Sequence, residues 1–232
     1  MIRTNPSITL IDSYWKIVEY HRHIKDLYQF LDMQFAYEED GLMLKPITKN
    51  KLFTYLGDIN IYDDLPYPCN AWLAPWYGRF YIDSINVPEG ISLEDCPIEK
   101  APDIAFVWNW IGCNDPNVAD VEEPECWLCV TKPEPDNPSE SLNKIAKMIW
   151  NDFRIELTCE QEDNDWLMGR FYREKVGCSL NGSWFVQRIP LSQLSTPYQM
   201  QNLIVRPLRK KFLQVSCCAV KLGFEGKIPP ST

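Results

Sequence analysis

Three carboxylates stand where chemistry could start. The run Gly57-Asp-Ile-Asn-Ile-Tyr-Asp-Asp64 closes a strand-like segment with Asp58, Asp63 and Asp64. Acids grouped at a strand end can hold Mg²⁺ for phosphoryl chemistry. One reading is therefore a metal-dependent hydrolase or transferase acting on a phosphate substrate. Against it, the spacing is irregular, and turn chemistry before Pro66 accounts for the same residues. The chain also has no Gly-x-x-x-x-Gly-Lys and no Gly-x-Gly-x-x-Gly, so nucleotide cofactors held in those ways are set aside.

Cys126-Trp-Leu-Cys129 has the spacing of a zinc knuckle, with Cys113 upstream. Zinc needs four ligands, and no second such pair exists. On a strand the two thiols would point to opposite faces. Buried thiols acting as small apolar groups are the expectation here and at Cys217-Cys218, with no metal and no cofactor. Pro102-Asp103 and Val130-Thr-Lys132 resemble a nuclease pattern in outline, but Val130 stands where a second carboxylate is needed. His21 and His23 lie two apart on a helix, so they face different ways, and no nucleophile elbow accompanies them. His21 is expected in the core and His23 in solvent.

Charge is distributed unevenly. Residues 1–82 carry net −2, residues 83–165 net −15, and residues 166–232 net +8. The acidic block, with Glu122, Glu123 and Glu125, would receive a basic partner if it stays open to solvent. That makes a protein-binding module with an acidic surface the leading reading, of the inhibitor or immunity type that covers a basic protein. The alternative is that the two charged regions neutralise each other inside the fold. In the basic end, Arg170, Arg173 and Arg188 alternate with aromatic residues, a pattern that can stack on and neutralise nucleic acid. Such binding requires these arginines on one open face, and the net charge of −9 opposes it.

The elements that must position these residues follow from periodicity. Leu10, Tyr14, Ile17, His21, Ile24, Tyr28, Leu31 and Phe35 are spaced by alternating fours and threes, which predicts a helix from about Leu10 to Phe35 capped by Thr9. The stripe fits packing on a sheet in the same chain; a strict seam would instead pair two copies as a homodimer. Strands are expected at Leu42–Ile47, Leu52–Leu56, Trp72–Ile82, Ile104–Ile111, Cys126–Thr131, Arg154–Cys159, Trp166–Lys175 and Ser183–Ile189. Ile104–Ile111 is apolar on both faces, as a central strand covered on both sides would be.

A Pro-rich acidic run, 132–138, reads as a linker and an internal boundary within a single domain spanning 1–232. It leads into a second helix capped by Asn137, with Pro138 in its first turn. Pro207 interrupts Leu203–Val220 whether that segment is helix or strand. Gly-Arg-Phe-Tyr occurs at 78–81 and again at 169–172, which allows two similar halves sharing one sheet. The fold class is α+β: a mainly antiparallel sheet packed by a long N-terminal helix and a central helix. No membrane-spanning run or export signal is visible, and nine cysteines without such a signal fit reduced thiols in the cytoplasm.

Overall fold

A 30-residue helix, α1 (Pro6–Phe35), opens the fold. The computed structural model describes residues 6–49, 51–54, 57–60, 76–85, 87–110, 124–152, 161–163, 165–175 and 178–218. The helix starts earlier than the expected Thr9 cap. Its stripe is used within the chain from His21 onward: His21, Ile24, Leu27, Tyr28, Leu31 and Phe35 are all buried. The described side chains before His21 are exposed or half-buried. The helix ends at Phe35, and the chain turns between the paired Glu39 and Leu42, where Asp40 and Gly41 take positive φ (55° and 73°), conformations that Asp tolerates and Gly adopts freely.

Nine strands among the described residues form one antiparallel sheet. They are β1 (Leu44–Pro46), β2 (Lys51–Thr54), β3 (Gly57–Asn60), β4 (Trp76–Asp83), β5 (Ile104–Trp110), β6 (Glu125–Pro135), β7 (Gln161–Asp163), β8 (Trp166–Lys175) and β9 (Cys178–Pro190). The order is β3-β2-β4-β5-β6-β9-β8-β7, with β1 pairing against the far end of β4. Three further α-helices lie among the described residues: α2 (Leu142–Asp152), the short α3 (Pro197–Met200) and α4 (Arg206–Cys218).

Side-chain alternation splits the core in two. Tyr77, Tyr81, Ala105, Val107, Cys126, Leu128 and Val130 face α1 and α4. Phe80, Phe106, Trp108, Trp110, Trp127, Cys129, Trp184 and Val186 face α2. The central strand β5 is buried along its whole length, because helices cover both of its faces. On the α2 face Trp108 has Trp110, Trp127 and Trp150 around it, with ring centroids 5.4, 5.3 and 5.8 Å away. These edge-on packings suit the ring quadrupoles.

Three local expectations change. The run expected as a linker is partly strand: Lys132 to Pro135 end β6 and pair with Ser183 to Leu180 of β9. β5 pairs with β6 only as far as Thr131, so Pro133 and Pro135 fall where no ladder bond to β5 is lost. Next, α2 begins at Leu142 rather than after Asn137, because Ser141 accepts from the Lys144 amide and takes the cap role. Asn137 instead closes a turn onto the amide of Ser139. Finally, Pro207 does not interrupt the last helical stretch. A π-turn over Gln201–Val205 precedes α4, and Pro207 sits in the first turn of α4, where its missing N–H is tolerated. The expected strand at Arg154–Cys159 lies outside the described residues.

The repeated Gly-Arg-Phe-Tyr has a local explanation. A Cβ on Gly78 would overlap the Trp150 ring, and one on Gly169 would lie 2.6 Å from the Trp184 ring. Both glycines make room for an indole. The arginines after them part ways: Arg79 is fully buried and Arg170 is exposed.

Candidate functional site

The residues expected to carry chemistry are scattered. Asp58 lies in β3 opposite Phe53 of β2, while Asp63 and Asp64 fall outside the described residues. Glu122 and Glu123 are also outside them. Glu125 is described, and it is paired with Arg188: Nε donates to Oε2 at 2.8 Å and Nη2 to Oε1 at 3.0 Å. The Trp127 indole donates to the same carboxylate at 2.7 Å, and its ring lies 4.9 Å beneath the guanidinium. Each charge is thus largely answered by the other.

The three arginines do not share a face. Arg170 pairs with Ser183 and falls on the α1/α4 side, whereas Arg188 pairs with Trp127 and falls on the α2 side; Arg173 pairs with Leu180 in the backbone register. The same alternation separates the two central thiols. Cys126 lies in the core under α1, and Cys129 in the core under α2. Burial pushes both thiols well above their usual range. Among the described residues, no three His, Cys, Asp or Glu side chains converge as metal ligands.

Two buried polar networks tie helices to the sheet. Arg79 donates to both oxygens of Asp32 at 2.8 Å each, and to the Lys51 and Lys49 carbonyls at 2.8 and 2.7 Å. The Tyr81 hydroxyl donates to Asp32 as well, at 3.1 Å. Nearby, the Tyr28 hydroxyl reaches the Tyr77 and Val107 carbonyls, and the Tyr77 hydroxyl meets His21 Nδ1 at 2.8 Å. Burial pushes the Tyr28 hydroxyl far up, the Cys126 thiol adds to that, and the Asn109 amide works against it. These contacts join α1 to β4 and β5, which is structural work.

The open feature is acidic. The segment 94–100 runs beside 137–143, pinned by backbone bonds. The Ile98 amide donates to the Glu140 carbonyl at 2.9 Å, and the Leu142 amide to the Cys96 carbonyl at 2.9 Å. This pairing brings Glu94, Asp95 and Glu99 alongside Glu140, with Asp136 just after β6; Glu134, opposite Asn181, falls on the α1/α4 side of the sheet. All six are exposed or half-buried. Their counter-ions are local: Lys100 stands 3.5 Å from Glu99, and Lys144 stands 2.7 Å from Glu140. Asp136 accepts from the Ser179 hydroxyl. Among the ion pairs of the described side chains, none joins these carboxylates to a cation of the C-terminal third. Periodicity could not reveal it, because the pairing joins segments some forty residues apart without forming a strand.

One further acid departs from solvent. Asp103, just before β5, is buried and accepts from the Ser216 hydroxyl of α4 at 2.8 Å. Its second oxygen has no partner. Burial raises its carboxyl, while the Ser216 bond and the charge of Lys132 pull it back down. The sequence marked Asp103 and Lys132 only as fragments of a nuclease pattern; the register of β5 and β6 sets them side by side.

Among the described residues, no helix is long and apolar enough to cross a membrane. No known protein family, curated protein or solved structure matches the chain.

Proposed function

We propose that the protein is an interaction module whose acidic face, built from 94–99 and 136–140, binds a cationic surface of another protein. The observation that supports this is the pattern of ion pairs among the described residues. The acidic block and the basic C-terminal third meet at Glu125–Arg188, but the ion pairs described for the carboxylates of 94–99 and 136–140 are with two local lysines. Exposed unpaired carboxylates cost little in solvent and repel one another modestly. A cationic partner relieves that repulsion and is steered toward the face. The backbone bonds between the two segments hold the carboxylates in place before binding, which lowers the ordering cost. A module that masks a basic protein, as an inhibitor or immunity protein does, has this character.

Zero-length carboxyl-to-lysine cross-linking in an extract of the native host tests the reading. The expected products link Glu94, Asp95, Glu99 or Asp136 to lysines of one partner, and disappear in high salt. Cross-links confined to other carboxylates contradict it.

A further inference from the structure

Two polar contacts, one near each end, hold α4 against the rest of the fold. Near its start Arg209, which is buried, donates through Nη1 to the Leu42 carbonyl at 3.0 Å. Its Nη2 donates to the Gln34 and Tyr37 carbonyls at 3.0 and 2.6 Å. Gln34 lies in the last turn of α1, where carbonyls have no partner within the helix, so Arg209 caps that end. Near the end of α4, Ser216 donates to Asp103 Oδ2 at 2.8 Å. Asp103 is 8% exposed, and its Oδ1 accepts no hydrogen bond among the described residues.

The two contacts answer pH differently. Burial pulls the Arg209 pKa down, and Glu39 and Asp40 oppose that, but a guanidinium stays charged wherever carboxyl groups titrate. Asp103 is a buried carboxyl with one bare oxygen, which is costly to ionise. The groups that bear on it are Ser216 of α4, whose hydroxyl does not titrate, and Lys132 of β6, which keeps its charge in this range. Burial outweighs both while α4 lies on it, so the carboxyl titrates above its ordinary value. With the last turn lifted, water reaches both oxygens and the ordinary value returns. Closure is therefore strongest below the ordinary value and weakens as pH rises through the closed-state value. Little apolar surface resists lifting: Val215 is buried, but Ser216 is half-buried and Cys217 exposed.

We propose that Ser216 on Asp103 is a pH-sensitive latch: the last turn of α4 stays shut while the carboxyl is protonated and opens more readily once it ionises, with Arg209 keeping the rest of the helix seated. Opening is confined to the Ser216 end because the Arg209 contacts do not change with its charge state. The latch lies apart from the acidic face and stands or falls independently of it.

The test is amide hydrogen exchange of the full chain from about pH 4 to about pH 8, expressed as protection relative to the free-peptide rate. Protection of amides 215–218 should fall about tenfold as pH rises. At every pH it should stay well below that of α2, which marks the opening as local. Asp103→Asn should hold 215–218 at the acid level of protection throughout, and Ser216→Ala should lower their protection at every pH. The protection of α2 shows that each variant is folded. Protection of 215–218 that ignores pH, a fall of the same size in Asp103→Asn, or protection equal to that of α2 would each overturn the proposal.

Discussion

Arg79 of β4 grips Asp32 of α1 through two parallel hydrogen bonds of 2.8 Å, and its side chain is entirely shielded from water. A buried guanidinium in this position depends on its carboxylate. Replacing Asp32 by Asn removes the charge but leaves the guanidinium in place. The expected loss of stability is about 3–5 kcal/mol, read from the urea midpoint. The double variant Asp32→Leu, Arg79→Met should recover much of it, because no unpaired charge then remains. A loss below about 1 kcal/mol for Asp32→Asn would show that the pair does not hold α1 to the sheet.

The sheet leaves no room above two of its glycines. Gly78→Ala forces a methyl into the Trp150 ring, and Gly169→Ala into that of Trp184. Each should cost about 1–3 kcal/mol by overpacking, with a matching fall in the thermal midpoint. Unchanged midpoints would mean that the indoles shift freely.

Much of this architecture can be read from the residues. The fours and threes of α1 and the two-faced apolarity of Ile104–Trp110 announced a long helix on a sheet covered on both sides. Other parts are hidden because the competing signal is local. Pro133 and Pro135 look like a linker until β5 is seen to pair no further along β6 than Thr131, which leaves their side of β6 unpaired by β5. Pro207 looks like a helix breaker until a π-turn sets it in the first turn of α4. The acidic face was legible as a charge block, but its position depends on 94–100 lying beside 137–143, and no period encodes that. Glu125 illustrates the limit most clearly, since its composition suggested a partner outside the chain while the register of β6 and β9 supplies Arg188.

Asp103 gives a pH dependence. Its carboxyl is raised by burial, with Ser216 and Lys132 opposing, so the folded state holds this proton more tightly than the unfolded state. Its stabilising contribution is complete below the unfolded value of about 3.9 and is lost as pH rises through the higher folded value. Asp103→Asn keeps an acceptor for Ser216 without the buried charge. The variant should therefore be more stable than the natural chain at pH 7, and the advantage should shrink as pH falls toward the unfolded value. Thermal midpoints of both proteins across this range check it; an advantage that grows in acid contradicts it.

Thiol reactivity should follow burial. Cys126 and Cys129 are fully buried and their thiols are held far from ionisation, whereas Cys217 is exposed. A brief alkylation of the folded protein, mapped by peptide mass spectrometry, should label Cys217 and spare Cys126 and Cys129. In denaturant all three should react. Labelling of Cys126 in the folded state would show that the core under α1 opens readily.

The acidic face is tested most directly by charge reversal. Asp95→Lys, Glu99→Lys and Asp136→Lys together change exposed side chains only and should leave folding intact. A matched control reverses Asp12, Glu19 and Asp26, all exposed on α1. The affinity of each protein for its captured partner is then measured from about 0.05 to 0.5 M salt. Binding should be lost in the face variant, kept in the control, and steeply weakened by salt in the natural chain. Equal affinity in the face variant and the natural chain, or affinity indifferent to salt, would contradict the account.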